Sequence, residues 1–392
     1  MKILAIETSC DETALAVLEC SGGLERPSFT IKADALHSQT KEHAPFGGVF
    51  PALAKREHAK NLIPLFLSLA SPCRWRTTGK TDFTDLERKT LELILKREPE
   101  LLKMFLGHLS AFPKPAIDLI TVTQGPGLEP ALWVGINFVR ALSYIWKIPI
   151  MPANHMEGHI YSVLLDAHKR APLAFPLVAL LISGGHTELV LAKHWDTFEL
   201  LGSTRDDAVG EAFDKVARLL SLPYPGGPHL SRLAREAREK NLPRELVLPR
   251  PMLSDHSYEF SFSGLKTAVR YALEKMGTLT ENQKQAIARE FEDSVADVLV
   301  AKSRKAIEDT NAQTFIVGGG VIANIFLREK FKTLADEFSD LTLHIPTHEL
   351  STDNAVMIAI SAYIKHESGI LPLSREKNDS LQARGTLSLH HE

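Results

Sequence analysis

The segment Asn154-His155-Met156-Glu157-Gly158-His159 carries two histidines four residues apart, directly after the apolar run 148–152. On a helix, that spacing stacks both imidazoles on one face a turn apart, where their nitrogens can share one cation. A solvated helix can carry the same pair, so a third ligand is needed. Asp353, in Ser351-Thr352-Asp353-Asn354 ahead of the apolar stretch 355–364, is a candidate. Two neutral imidazoles and one carboxylate leave open coordination positions that a substrate oxygen can fill, as a catalytic site requires. Helix N-capping is the other reading of Asp353, since Ser, Thr, Asp and Asn all satisfy free amides at a helix start.

A second group of reactive side chains stands near the start. Residues 2–7 have the pattern of a buried strand, the polar turn Thr8-Ser9-Cys10-Asp11-Glu12-Thr13 follows, and residues 14–18 return as a strand. Such a turn sets amides and hydroxyls at a sheet end, where phosphate can sit, with Asp11 and Glu12 beside it to take a proton. A plain hairpin with acidic turn residues gives the same pattern.

The elements that must position these groups are repeated along the chain. Strand 177–182, the turn Ser183-Gly184-Gly185-His186-Thr187-Glu188 and strand 189–192 match the first unit, with glycines that let a ligand approach the backbone. Residues 118–123, Gln124-Gly125-Pro126-Gly127 and a helix from about Ala131 parallel residues 314–317, Gly318-Gly319-Gly320 and a helix from about Asn324. Each helix leads to another apolar run, 148–151 and 341–345. Strand, glycine turn, helix, strand is the βαβ pattern, in which anionic ligands bind near the helix N-terminus. The chain reads as internally duplicated. Two related α/β lobes facing each other across a nucleotide-holding cleft is the actin-like/sugar-kinase (ASKHA) fold. Between the units, helices are expected at 208–220, at 230–240 after Tyr224-Pro225-Gly226-Gly227-Pro228, after Ser261-Phe262-Ser263-Gly264-Leu265-Lys266 as far as Met276, and at 281–309.

Composition bounds the possibilities. With 392 residues, 44% of them hydrophobic and 24% charged, the chain has apolar material for two packed domains of ordinary size. The formal net charge of -3 argues against a strongly basic surface, so nucleic acid would be met by a local patch or a further subunit. Cys10, Cys20 and Cys73 are odd in number and show no CxxC spacing, which fits a reducing compartment. No secretory h-region is visible, and the apolar segment 131–151 is interrupted by Asn137, Arg140 and Lys147. The expectation is a cytoplasmic protein with no membrane span.

The expected domains are an N-terminal lobe at 1–153, a C-terminal lobe at 154–373 with helical insertions, and a flexible tail at 374–392. Within the first, the stretch 71–114 departs from the repeat. Its start, Cys73-Arg74-Trp75-Arg76-Thr77-Thr78-Gly79-Lys80, is basic with a tryptophan and could touch nucleic acid. Residues 86–109 have helical apolar spacing, and the stretch reads as a peripheral insertion packing its own leucine stripe.

Taken in order, the motifs resemble the signature blocks of the TsaD/Kae/Qri family of tRNA N(6)-adenosine threonylcarbamoyltransferases, formerly labelled O-sialoglycoprotein endopeptidases. The blocks are Ile6-Glu7-Thr8-Ser9-Cys10-Asp11-Glu12-Thr13, Gly125-Pro126-Gly127-Leu128, Asn154 to His159 and Ser183-Gly184-Gly185-His186-Thr187, then Gly210-Glu211-Ala212-Phe213-Asp214-Lys215, Pro225-Gly226-Gly227-Pro228, Phe262-Ser263-Gly264-Leu265-Lys266, Gly318-Gly319-Gly320-Val321 and Ser351-Thr352-Asp353-Asn354. The resemblance implies transfer of a threonylcarbamoyl group from threonylcarbamoyl-AMP to the exocyclic amine of the adenosine 3′ of the anticodon (tRNA position 37), in tRNAs reading codons that begin with A. It implies that His155, His159 and Asp353 bind one divalent metal ion per subunit, Fe(2+) or Zn(2+). It implies that Leu181, Ile182, Ser183, Gly184, Gly185, Asp214, Gly227 and Asn324 line the substrate. Asp11 or Glu12 is the expected proton acceptor. Implied partners are tRNA and either a paralogous pseudo-enzyme subunit with a small ATPase, as in bacterial relatives, or a kinase-containing complex, as in archaeal and eukaryotic ones.

Two other functions fit parts of the pattern. The glycine turns suit a small-molecule kinase of the same superfamily, in which the histidine pair has no purpose. A metalloprotease would use the pair, but the HxxxH spacing lacks the glutamate of HExxH, and Glu157 points elsewhere on a helix.

Overall fold

The computed structural model describes residues 1–75, 82–169 and 172–389. In chain order it forms β1 (Lys2–Glu7), β2 (Glu12–Ser21), β3 (Ser28–Ser38), α1 (Thr40–His43), α2 (Pro51–Ala70), α3 (Asp85–Ile94), α4 (Pro99–His108), β4 (Leu119–Gly125), α5 (Glu129–Trp146), β5 (Ile150–Asn154) and α6 (His155–Tyr161). There follow β6 (Leu177–Ile182), β7 (Thr187–His194), β8 (Thr197–Ser203), α7 (Val209–Leu219), α8 (Gly226–Glu239), α9 (Ser263–Met276), α10 (Glu281–Thr310), β9 (Thr314–Gly318), α11 (Ile325–Ala335), β10 (Thr342–His344), α12 (His348–Ser351) and α13 (Ala355–Glu367).

The continuous apolar runs become central strands, because β1, β4, β6 and β9 are covered on both faces. The first sheet has the order β3-β2-β1-β4-β5, antiparallel from β3 to β1 and parallel from β1 to β5. Read from its far edge, the second sheet is β8-β7-β6-β9-β10, with the same change from antiparallel to parallel at its central strand. The duplication expected from the motifs is therefore a duplication of topology, and the α/β fold is of the actin-like/sugar-kinase class.

The compact units differ from the expected boundary at residue 153. One comprises Met1–Pro172 with Asp353–Leu389, and the other covers Leu173–Thr352. The physical reason is α13. Its residues 355–364 are all buried, so it needs cover on every side, and it finds this against β1, β2, β5 and α6 of the first unit.

The leucine stripe of the insertion joins the core of the first unit instead of packing by itself. Leu91, Leu95, Leu101, Phe105 and Leu109 are buried in the core that also holds Leu4, Ile6 and Val122. Trp75 packs there too, its ring 5.3 Å from that of Phe66, so it is not presented for stacking on a base. The remainder of the basic stretch, Arg76 to Lys80, lies outside the described residues.

The expected flexible tail is a correction. Through Leu389 it is docked on the first unit: Leu373 pairs with Ile150, Leu381 is 1% exposed, and Ser388 O accepts from Asn154 Nδ2 at 3.1 Å. Buried Leu381 and Leu389 supply the apolar anchors that its polar composition concealed. The same segment corrects the reading of Gly125-Pro126-Gly127 as an anion turn. Gly127 N donates to Gly385 O at 3.0 Å and Leu128 N to Ser9 O at 2.7 Å, so these amides are already used. A Cβ on Gly125, at φ 157, would meet Arg384 O at 1.9 Å.

Candidate metal centre

Asn154 ends β5 and caps α6, its side chain accepting from Met156 N at 2.8 Å and Glu157 N at 3.4 Å. That cap starts the helix at His155 and places His159 one turn on, as the spacing requires. At the entry to α13 the cap is Asn354, whose side chain accepts from Met357 N at 3.0 Å. Asp353 is thus released from the capping role and turned to the histidines.

The three side chains converge. Asp353 Oδ1 lies 3.4 Å from His155 Nε2 and 3.2 Å from His159 Nε2, and one ligand atom from each residue falls within 4.8 Å of the others. The imidazole rings stand nearly perpendicular, with centroids 4.8 Å apart. His155 and His159 are buried. Neither ring nitrogen of His159 makes a hydrogen bond of acceptable angle among the described residues. On the far side of His155, Nδ1 lies 3.2 Å from Glu7 Oε2 and donates its proton there, so Nε2 is the nitrogen turned toward Asp353 and the one that would hold a metal.

The electrostatics fit a cation. Burial alone would lower the His155 pKa, but the Asp353 and Glu7 carboxylates outweigh it and hold it well above the usual imidazole range. Burial would raise Asp353, yet His155 and His159 hold it well below the ordinary carboxylate value. Two carboxylates around His155, the buried Glu7 and the partly exposed Asp353, call for positive charge, and the nitrogen–oxygen donor set suits a divalent transition ion.

Asp11 and Glu12 remain half-buried at the turn between β1 and β2, whose Ser9 Oγ lies 3.2 Å from His155 Nδ1. Burial first, then the charges of Asp11 and Asp353, push the Glu12 carboxyl well above its ordinary range.

Of the residues expected to line a substrate, Gly184, Asp214, Gly227 and Asn324 come together in the second unit around a cavity of about 570 Å³. Asp214 Oδ1 accepts from Gly226 N at 2.7 Å, and burial raises its pKa. Asn324 caps α11 and donates through Nδ2 to Ser231 Oγ and Glu292 Oε1. Leu181 and Ile182 are fully buried in β6, so any ligand contact there falls to backbone. Ser183 Oγ is taken by the amides of Gly185 and His186, within the turn.

Comparison with known proteins decides the family. The model described as tRNA N6-adenosine threonylcarbamoyltransferase matches residues 108–360. Over 93% of this chain and 92% of the relative, the chain is 41% identical to a protein of that name from Burkholderia mallei. It is 38% identical to another from Staphylococcus haemolyticus, over 97% of this chain and 96% of the relative. The chain belongs to the tRNA N6-adenosine threonylcarbamoyltransferase family. Among solved structures, it is similar to the activator of the 2-hydroxyisocaproyl-CoA dehydratase from Clostridium difficile with bound ADPNP, with a TM-score of 0.44 and 12% identity over 95% of this chain and 98% of that one.

As a member of the threonylcarbamoyltransferase family, the chain is an enzyme of the transferase class. Glu157, the residue on which a protease reading would turn, faces away from the histidines. Its carboxylate accepts from Ser361 Oγ at 3.0 Å and lies 3.5 Å from Lys365 Nζ, both on α13. Sequence reasoning missed Glu7 and Thr123. Glu7 is wholly buried, accepts from Ser9 N and the Thr123 hydroxyl, and orients His155. A charged residue ending an otherwise apolar strand was the available signal. Among the described residues, no helix is long and apolar enough to cross a membrane.

Proposed function

We propose that this protein transfers the threonylcarbamoyl group from threonylcarbamoyl-AMP to the exocyclic amine of the adenosine 3′ of the anticodon, in tRNAs reading codons that begin with A, releasing AMP. Family membership supports the reaction, and the convergence of His155, His159 and Asp353 is the single observation that carries the metal-assisted form of it. We assign these three residues as ligands of one divalent ion, Fe(2+) or Zn(2+). When bound, the ion would act as a Lewis acid toward phosphate oxygens as AMP departs.

The chain's own residues do the rest. Glu7 fixes the His155 tautomer, which keeps Nε2 free as a ligand atom. An adenine amine is a weak nucleophile, because its lone pair is delocalised into the ring, so the mixed anhydride supplies the activation and no protein nucleophile is needed. Asp11 or Glu12 would accept the amine proton, and the raised pKa of Glu12 would make it the more basic carboxylate. Gly184, Asp214, Gly227 and Asn324 would hold the nucleotide end of the donor. The target adenosine lies in a single-stranded loop, so presenting it costs less than flipping a base from a duplex. The modest net charge fits an enzyme that grips tRNA with help, from a paralogous pseudo-enzyme subunit and a small ATPase in the cytoplasm.

The test is mass spectrometry of nucleosides from tRNA incubated with the protein, threonine, bicarbonate, ATP and the accessory enzymes. Threonylcarbamoyladenosine that depends on this chain is the expected result. ATP-dependent phosphorylation of a small molecule, with no modified nucleoside, would replace this reading with a kinase.

A further inference from the structure

Beside the acidic turn lies a second group of buried polar side chains that the transfer itself does not use. Thr13, Gln39, His43 and His58 are all wholly buried. Phe50 N donates to His43 Nδ1 at 3.2 Å, which places the His43 proton on Nε2. That nitrogen lies 3.2 Å from Gln39 Oε1 and donates to it, which fixes the amide so that Gln39 Nε2 faces His58 Nδ1 at 3.2 Å. His58 Nε2 then donates to the Cys10 carbonyl oxygen at 3.0 Å, while the Thr13 hydroxyl reinforces Nδ1 at 2.7 Å. The chain of bonds runs one way, since its first group can only donate and its last can only accept.

The neighbouring carbonyls are captured as well. Leu128 N donates to Ser9 O at 2.7 Å, and Gln39 N to Asp11 O at 2.9 Å. Three consecutive carbonyls, of Ser9, Cys10 and Asp11, are therefore held by three separate segments of the chain. Apolar side chains of equal volume would fill this space about as stably, so what the polar chain adds is a single position for the turn.

We infer that Gln39, His43 and His58 are positioning residues for the transfer, holding the Ser9-Cys10-Asp11 backbone so that Asp11 and Glu12 keep fixed places in the turn whose Ser9 meets His155. The inference rests on the reading that this turn serves the reaction. It is a role of orientation, distinct from holding metal or substrate.

The experiment compares full-length wild-type protein with His58→Phe, Gln39→Met and His58→Gln in the complete modification assay, with folded fraction and metal content measured for each. His58→Gln keeps an amide able to donate to Cys10. The expected result is a kcat reduced roughly 10- to 100-fold in the first two variants, with KM for tRNA changed by less than about twofold and most of the rate restored in His58→Gln. In wild-type protein carrying 15N-labelled histidine, His58 should show the Nε2–H tautomer between about pH 6 and 8. An unchanged kcat per folded, metal-loaded molecule of His58→Phe, or an Nδ1–H tautomer of His58, would overturn the inference. Absence of modified nucleoside from the wild type would instead sink the proposed reaction, and the tautomer would still decide the hydrogen-bond chain.

Discussion

A Cβ on Gly158 would lie 3.0 Å from Met357 Cγ, so α6 and α13 meet where only a hydrogen atom fits comfortably. This close approach lets imidazoles on one helix reach a carboxylate just ahead of the other. Gly158→Val is expected to destabilise the protein by about 1–3 kcal/mol through overpacking, and to weaken metal binding. Urea unfolding and metal titration measure the two effects.

Asp353→Asn keeps the shape of the side chain and removes its charge. Bound metal and threonylcarbamoyladenosine formation should fall together, and His155→Ala should behave alike. Elemental analysis beside nucleoside mass spectrometry checks this. A metal-free Asp353→Asn protein that still modified tRNA would rule out the proposed role.

Glu7 lies behind His155, at Nδ1, on the opposite side of the ring from Asp353. Glu7→Gln should lower metal affinity about 10- to 100-fold, the usual consequence of losing a carboxylate behind a ligating imidazole. Isothermal titration with Zn(2+) gives the ratio. Affinity equal to wild type would remove Glu7 from the site.

His58 makes stability depend on pH. Burial lowers its pKa from 6.5 to about 4, against smaller raising effects of the Cys10 carbonyl and Glu7, with His43 and His37 lowering it further. Below about pH 6.5 the unfolded chain takes up a proton that the folded chain refuses, so stability is full above that value and is lost as pH falls toward 4. Between pH 7 and pH 5 the loss should be about 2 kcal/mol. Urea midpoints should show this drop in the wild type and a smaller one in His58→Gln.

Leu381 anchors the C-terminal segment in the first core at 1% exposure. Leu381→Ala should cost about 2–4 kcal/mol. Denaturant unfolding reads the loss, and a change below about 0.5 kcal/mol would mean that the segment is not docked in solution.

Much of this was legible in the residues alone. Continuous apolar runs identified the central strands, glycine turns between strand and helix revealed the duplication, and a four-residue histidine spacing predicted one helical face. These are local properties, fixed by periodicities of two and 3.6 residues. Some elements escaped for local reasons too. Pro64 inside α2 reads as a helix breaker, and β3 buries Phe29 and Ala33 while exposing Ile31 and Leu36, so its alternation is blurred.

The tertiary structure decided which distant groups meet. Register places Ile6 beside Val122 and Gly125 beside Asn154, so β1, β4 and β5 end together and bring Glu7, Thr123 and His155 to one edge. The return of α13 to the first sheet then delivers Asp353. Neither event has a sequence period, because strand pairing and helix docking join residues over a hundred positions apart through backbone hydrogen bonds and burial that no short window contains. By itself the sequence determined which residues could bind a cation or take a proton. Only the packed fold decided that Glu7 would orient His155, that Glu157 would face α13, and that Asn354 rather than Asp353 would cap the last helix.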